Sequence, residues 1–120
     1  SEEINPTPLR WNPLPYPSKQ LDFIDSWVPW VGNGDVKLHQ GGMIYLYACT
    51  VSMKERFFYN ADGDLLIIPQ EGGLKINTEF GPLQIEPGEI ALIYRGIQFQ
   101  VELMDEKARG YISENFGAHY

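Results

Sequence analysis

From Ile97 to Leu103 the chain reads Ile-Gln-Phe-Gln-Val-Glu-Leu, apolar and polar residues in strict alternation. Successive side chains of a strand point to opposite faces, so this stretch predicts a strand with one face in a core and one in water. Comparable β-rich stretches fill the chain after Gly41: Met43 to Val51, Arg56 to Asn60, Asp64 to Pro69, Gly73 to Glu79, Leu83 to Glu86, Glu89 to Tyr94 and Arg109 to Phe116. Turn chemistry separates them. Asp62-Gly63, Glu71-Gly72-Gly73, Gly81-Pro82 and Arg95-Gly96 fall between strands, and Pro87-Gly88 suits the central positions of a type II turn. About eight short strands at this spacing predict an all-β sandwich or barrel, here a jelly roll over residues 41–120.

The first forty residues have a different pattern. Pro6, Pro8, Pro13, Pro15 and Pro17 are five of the nine prolines, and each removes an amide donor and fixes φ. That predicts an extended arm, pinned to its own barrel by Leu9, Trp11, Leu14 and Tyr16. From Leu21 to Val31, the apolar Leu21, Phe23, Ile24, Trp27 and Val28 allow about two helical turns, but Pro29 limits any helix. A short helix or an irregular segment is expected there, followed by a turn at Gly32-Asn-Gly-Asp35. Trp11, Trp27 and Trp30 are suited equally to packing on the barrel and to anchoring a subunit contact. The arm and irregular segment, residues 1–40, are read with the barrel as one domain.

Composition narrows the function classes. A chain of 120 residues is long enough for one core without staples. Its mean hydropathy of −0.27 and short apolar runs predict no bilayer span. Sixteen acidic against nine scattered basic residues give a net charge of −7, which argues against nucleic acid. The single cysteine, Cys49, has no partner for an internal disulfide, and no signal-like segment opens the chain, so a cytoplasmic location is expected. A start at Ser-Glu-Glu suggests a cut segment of something longer.

Residues Asp64 to Phe99 resemble the cupins, small double-stranded β-helix barrels. Their signature is a pair of histidines one residue apart, a carboxylate, a glycine after the next strand, two turns and a third histidine. "DLLIIPQEG" stands where the carboxylate, strand and glycine belong, and "EPGEIALIYRGIQF" where both turns belong. The ligand positions hold other residues. Placing Asp64 at the carboxylate puts Phe58 and Asn60, or Phe57 and Tyr59, at the paired histidines, and Phe99 at the third. A catalytic metal needs imidazole and carboxylate donors converging on one point, and one aspartate is not a site. Asp64 is therefore expected to be an ordinary solvated or capped aspartate at a strand start. His39 and His119 lack ligand spacing, Cys49 reads as a small core residue, and the carboxylate pairs Asp62/Asp64 and Glu86/Glu89 read as turn residues.

Longer stretches are more specific. "NPTPLRW", "DFIDSW", "GNGD", "SMKERFFYNADGDLLIIPQEG", "TEFG", "IEPGEIALIYRGIQF" and "RGYISENFGAHY" resemble consecutive pieces of the homogentisate 1,2-dioxygenase family over nearly the whole chain. The resemblance implies part of an enzyme of tyrosine and phenylalanine breakdown, which uses non-haem Fe(II) and O2 to open homogentisate to maleylacetoacetate. It implies a much longer protein, with a two-histidine, one-glutamate iron site in a later C-terminal domain, and assembly as trimers or hexamers. No iron ligand of the family falls on a position of this chain. The expected role is structural: a cupin-like domain without catalytic or metal residues, partnered by the catalytic domain and sibling subunits. The competing reading is a free-standing cupin that binds a small aromatic ligand in a cavity walled by Phe57, Phe58, Tyr59 and Phe99, with Arg56 or Asp64 as the polar contact. A pure assembly module without a catalytic partner is the third.

Overall fold

Two antiparallel sheets share the work of enclosing one core. The structure, a computed structural model, describes residues 14–30 and 42–117. The expectations for Pro6, Pro8, Leu9, Trp11, Pro13, the turn at 32–35, His39 and His119 lie outside the described residues. Nine strands are described: β1 (Val28–Pro29), β2 (Gly42–Cys49), β3 (Phe58–Tyr59), β4 (Asp64–Glu71), β5 (Leu74–Thr78), β6 (Gly81–Ile85), β7 (Ala91–Ile93), β8 (Gln98–Leu103) and β9 (Ala108–Asn115). One sheet has the order β1-β2-β9-β4-β7, the other β3-β8-β5-β6. This is the all-β jelly roll that the alternation predicts, and the eight expected strands appear within a few residues of their predicted bounds.

The ninth strand was not expected. In place of a helix, residues 22–27 form a turn: Ser26 N donates to Asp22 O at 3.1 Å, and Asp25 N donates to the Asp22 carboxylate at 2.9 Å. Pro29 then forbids continuation as a helix. Val28 and Pro29 pair instead with Leu46 and Tyr45 at the edge of the five-stranded sheet, where a proline's missing amide costs no ladder bond.

β9 is the spine of its sheet, flanked by β2 and β4 along its length, and its burial alternates at every residue. Ala108, Gly110, Ile112 and Glu114 are buried, while Arg109, Tyr111, Ser113 and Asn115 are partly exposed. Facing them, Leu74, Ile76, Phe99 and Val101 come from β5 and β8. With Tyr47, Cys49, Leu65, Ile67 and Phe23 they form a continuous apolar core. Each fully buried large side chain contributes about 1.5–3 kcal/mol, so this filling dominates stability.

The registers define two barrel ends. At the first, Gly42 and Asp64 both pair with Asn115, Leu65 pairs with Ile93, Phe58 and Thr78 pair with Phe99, and Tyr59 pairs with Gln98. At the second, Cys49 pairs with Ala108, Glu71 with Arg109 and Leu74 with Leu103. Gly72 is tied to the second end. Its φ of +84° is one that a side chain rarely adopts, and an added Cβ there would lie 2.3 Å from the Lys107 carbonyl oxygen.

Candidate functional site

The first end is where a cupin-like barrel presents its ligand positions, and it holds most of the unusual polar chemistry of the fold. Asp64 opens β4 there with no exposed surface. Its Oδ1 accepts from the Arg95 backbone amide at 2.8 Å and from Arg95 Nε at 2.9 Å, and Oδ2 accepts from Arg95 Nη2 at 3.1 Å. The same Nη2 donates to the carbonyls of Asn115, at 3.4 Å, and Gly117, at 2.8 Å. This corrects the expectation of a solvated or capped aspartate. A buried carboxylate persists only when paired and hydrogen-bonded, and the turn after β7 supplies both the cation and an amide.

A second buried carboxylate lies on the next inward position of β9. Glu114 accepts from Tyr45 Oη at 3.1 Å on one oxygen and from Asn60 Nδ2 at 2.6 Å on the other. Burial, then the negative charge of Glu114 and the hydrogen bond to it, pushes the Tyr45 hydroxyl above the usual tyrosine range. Tyr45 holds the proton in that bond.

Aromatic rings seal the interior beneath these groups. Phe58 and Phe99 meet edge to face with centroids 5.6 Å apart, Phe99 lies 6.4 Å from Phe23, and Phe23 lies 4.9 Å from Tyr47. Trp27, carried in by the turn before β1, packs on Tyr45 at 5.1 Å and Phe58 at 5.6 Å. Among the described residues, these rings pack against one another as part of the core.

Of the six cavity candidates, only Phe58 and Phe99 come together, and they do so as core. Tyr59 is exposed, as is Phe57. Arg56 faces away, pairing with Asp22 at 2.8 Å and Asp25 at 2.9 Å to clamp the 22–27 turn. Two grooves elsewhere have volumes of about 230 Å³, lined by Ile44, Ile68, Tyr111, Ile112 and Ser113, and about 460 Å³, lined by Glu71, Gly72, Asp105, Glu106 and Lys107. None of the six lines either one. The Cys49 thiol is pushed up to about 12, chiefly by burial, which makes it inert as a nucleophile.

With this geometry, comparison with known proteins is informative. A sequence-family profile described as homogentisate 1,2-dioxygenase N-terminal matches residues 1–120. The chain belongs to this family. Solved structures with a similar fold include a cupin-2 domain protein from Shewanella frigidimarina, at 21% identity and a TM-score of 0.61, covering 75% of this chain and 81% of that one. The Cnp3 cupin domain of Schizosaccharomyces pombe follows at 6% identity and 0.63, covering 76% and 64%. An RmlC-like cupin with a double-stranded β-helix fold from Methanocaldococcus jannaschii gives 10% and 0.55, covering 63% and 71%. These three likenesses concern the fold alone.

For a member of the homogentisate 1,2-dioxygenase N-terminal family, the fit of an iron ion to this end can be tested on the residues present. Both oxygens of Asp64 are engaged by Arg95, and Phe58 and Phe99 offer no donor. Asn60 is spent on Glu114. Among the described residues, no group of three or more His, Cys, Asp or Glu is placed to hold a metal. Phe58 and Phe99, at two of the cupin ligand positions, carry no donor atom for a metal.

Sequence reasoning missed Arg95 and Glu114. The inward phase of β9, set by Ala108, Gly110 and Ile112, already placed Glu114 on the buried face. Nothing local marked Arg95, whose partner is 31 residues away.

Proposed function

We propose that this domain is the non-catalytic scaffold of a homogentisate 1,2-dioxygenase, a non-haem Fe(II) enzyme that opens the ring of homogentisate with O2 to give maleylacetoacetate. Iron and substrate belong to a part of the enzyme outside these residues, and the domain's own task is to support that part and neighbouring subunits in a cytoplasmic trimer or hexamer. The observation that carries this reading is the replacement of a ligand site by a locked ion pair: Asp64, at the carboxylate position, is held by three hydrogen bonds from Arg95. Both oxygens of such a carboxylate are engaged by one cation, which competes with any metal for them.

Family membership supports the dioxygenase half of the reading, and the ring-filled interior supports the scaffold half. Among the described residues no helix is long and apolar enough to cross a membrane. The test is oxygen uptake with homogentisate by the full-length enzyme, with iron measured beside it. Wild type consumes O2. Asp64→Asn, which removes the carboxylate, retains full iron content in whatever fraction of the protein folds. Loss of iron in proportion to the substitution, with the fold intact by circular dichroism, refutes the scaffold reading.

A further inference from the structure

The exposed aromatic side chains of this domain are not scattered. Phe57, Tyr59, Phe80, Tyr94 and Phe116 are the large aromatics on the exposed surface of the described residues, ranging from 41% exposed at Phe116 to 79% at Phe80. All five belong to the first end. Phe57 and Tyr59 flank Phe58, the register partner of Phe99. Phe80 sits in the β5–β6 turn, beside the Thr78–Gly81 pair, and its amide is held by Thr78 Oγ1 at 2.9 Å. Tyr94 opens the turn whose Gly96 amide donates to Asn60 O at 2.9 Å, so it neighbours the exit of β3. Phe116 follows β9, with Cδ1 3.2 Å from where a Cβ on Gly63 would stand.

Exposed aliphatic residues do not follow this pattern: Val28 is on edge strand β1, Leu83 on β6, and Ile90 and Met104 lie towards the second end. Clustered apolar rings on one end, around buried charges, mark a surface built to be covered. Aromatic residues also carry much of the binding energy where protein surfaces meet.

The choice of occupant follows from where the chain runs. Arg95 holds the carbonyls of Asn115 and Gly117, so the last described residues of the chain lie at this same end, among the aromatics. A segment joined covalently at that point meets the surface at an effective concentration of about millimolar, well above that of a separate molecule.

We propose that the aromatic end is the docking surface for the rest of the same polypeptide, the part that follows this N-terminal domain. The proposal rests on the reading of the chain as one part of a longer dioxygenase. Its test places the photo-crosslinker p-benzoylphenylalanine at Phe80 or Tyr59 in the full-length enzyme, with Met104 as the control towards the other end. Irradiating a mixture of unlabelled and 15N-labelled protein distinguishes adducts within one chain from adducts between chains.

Adducts from Phe80 and Tyr59 to residues beyond 120 of the same chain, several-fold above those from Met104, are expected. Adducts between two copies of this domain overturn the proposal, and so does equal yield from Met104. Ring opening of homogentisate is measured separately on the unsubstituted enzyme. Adducts within one chain in an enzyme without that activity uphold docking and sink the dioxygenase reading. Activity without such adducts overturns docking alone.

Discussion

The two ends of this barrel reverse each other's arrangement of charge and ring. At the first end Asp64 and Glu114 are buried, while Tyr59, Phe80, Tyr94 and Phe116 stand in solvent. At the second end the ring of Tyr16 lies under cations, with Lys107 Nζ 4.4 Å and the Arg109 guanidinium carbon 5.1 Å from its centroid, and Glu71 accepts its hydroxyl proton at 2.7 Å. The second end is a finished surface: Glu71, Asp105, Glu106 and Lys107 face water and its aromatic ring is covered. The first inverts the usual economy of a free-standing domain, in which burying charge is costly and exposing rings is wasteful. That inversion is what a surface awaiting a partner looks like, and it lies at the end that holds Gly117.

The largest test of the contrast removes the buried charge balance. Arg95→Met leaves the Asp64 carboxylate, with 0% exposure, without its cation. An uncompensated buried charge of this kind costs about 3–5 kcal/mol. Asp64→Asn leaves the guanidinium, 26% exposed, a route to water, and its loss is the smaller of the two. Urea unfolding of both variants checks the order, and equal losses would show that the pair is not asymmetric in burial.

At the second end the greatest sensitivity is steric. Gly72→Ala drives a Cβ to 2.3 Å from the Lys107 carbonyl at a φ of +84°, and roughly 2–4 kcal/mol is lost. Gly88→Ala, also at positive φ but with nothing within 4 Å, costs only about 1 kcal/mol. A thermal scan of the two alanine variants separates collision from conformational strain.

How far the sequence revealed this contrast depends on the range over which each feature is specified. The strands were legible because period-two alternation and glycine turns are local signals: Gln98–Leu103 shows the alternation in six residues, and Arg95-Gly96 supplies the turn before it. β1 was not, since two residues containing a proline carry no pattern, and the edge position that tolerates Pro29 exists only once β2 has paired. The cavity candidates separate in the fold for a similar reason. Phe57, Phe58 and Tyr59 look equivalent in sequence, but strand alternation sends Phe58 inward to Phe99 and its neighbours outward. The Asp64–Arg95 pair and the gathering of aromatics from four separate segments are tertiary facts, invisible until the ends of both sheets are brought together.

Alkaline titration probes the interior near the second end with a moderate effect. Burial raises the Cys49 thiol from 9.0 to about 12. The folded state thus keeps a proton that the unfolded chain releases above pH 9, so this contribution is complete below pH 9 and is lost as pH rises towards 12. The slope is about 1.4 kcal/mol per pH unit. Tyr47, raised by burial in the same interior, adds to the loss only above about pH 10, the ordinary tyrosine value. Urea midpoints at pH 8.5, 9.5 and 10 should therefore fall for wild type and fall less for Cys49→Ala, even though the variant starts lower from lost packing.

The smallest effect falls on the latch that finishes the second end. Tyr16→Phe deletes the hydroxyl that donates to Glu71 but keeps the ring beneath Lys107 and Arg109. Glu71 retains its partner Arg109 Nε at 3.1 Å, and its side chain is half exposed, so water replaces the lost donor. The expected cost is below about 1 kcal/mol. Tyr16→Ala also removes the ring, with its packing and its attraction for two cations, and should cost about 1–2 kcal/mol. If the two variants were equally destabilised, the hydroxyl and not the ring would be holding the arm. The second end would then be secured by a hydrogen bond in water, and its likeness to an ordinary finished surface would fail.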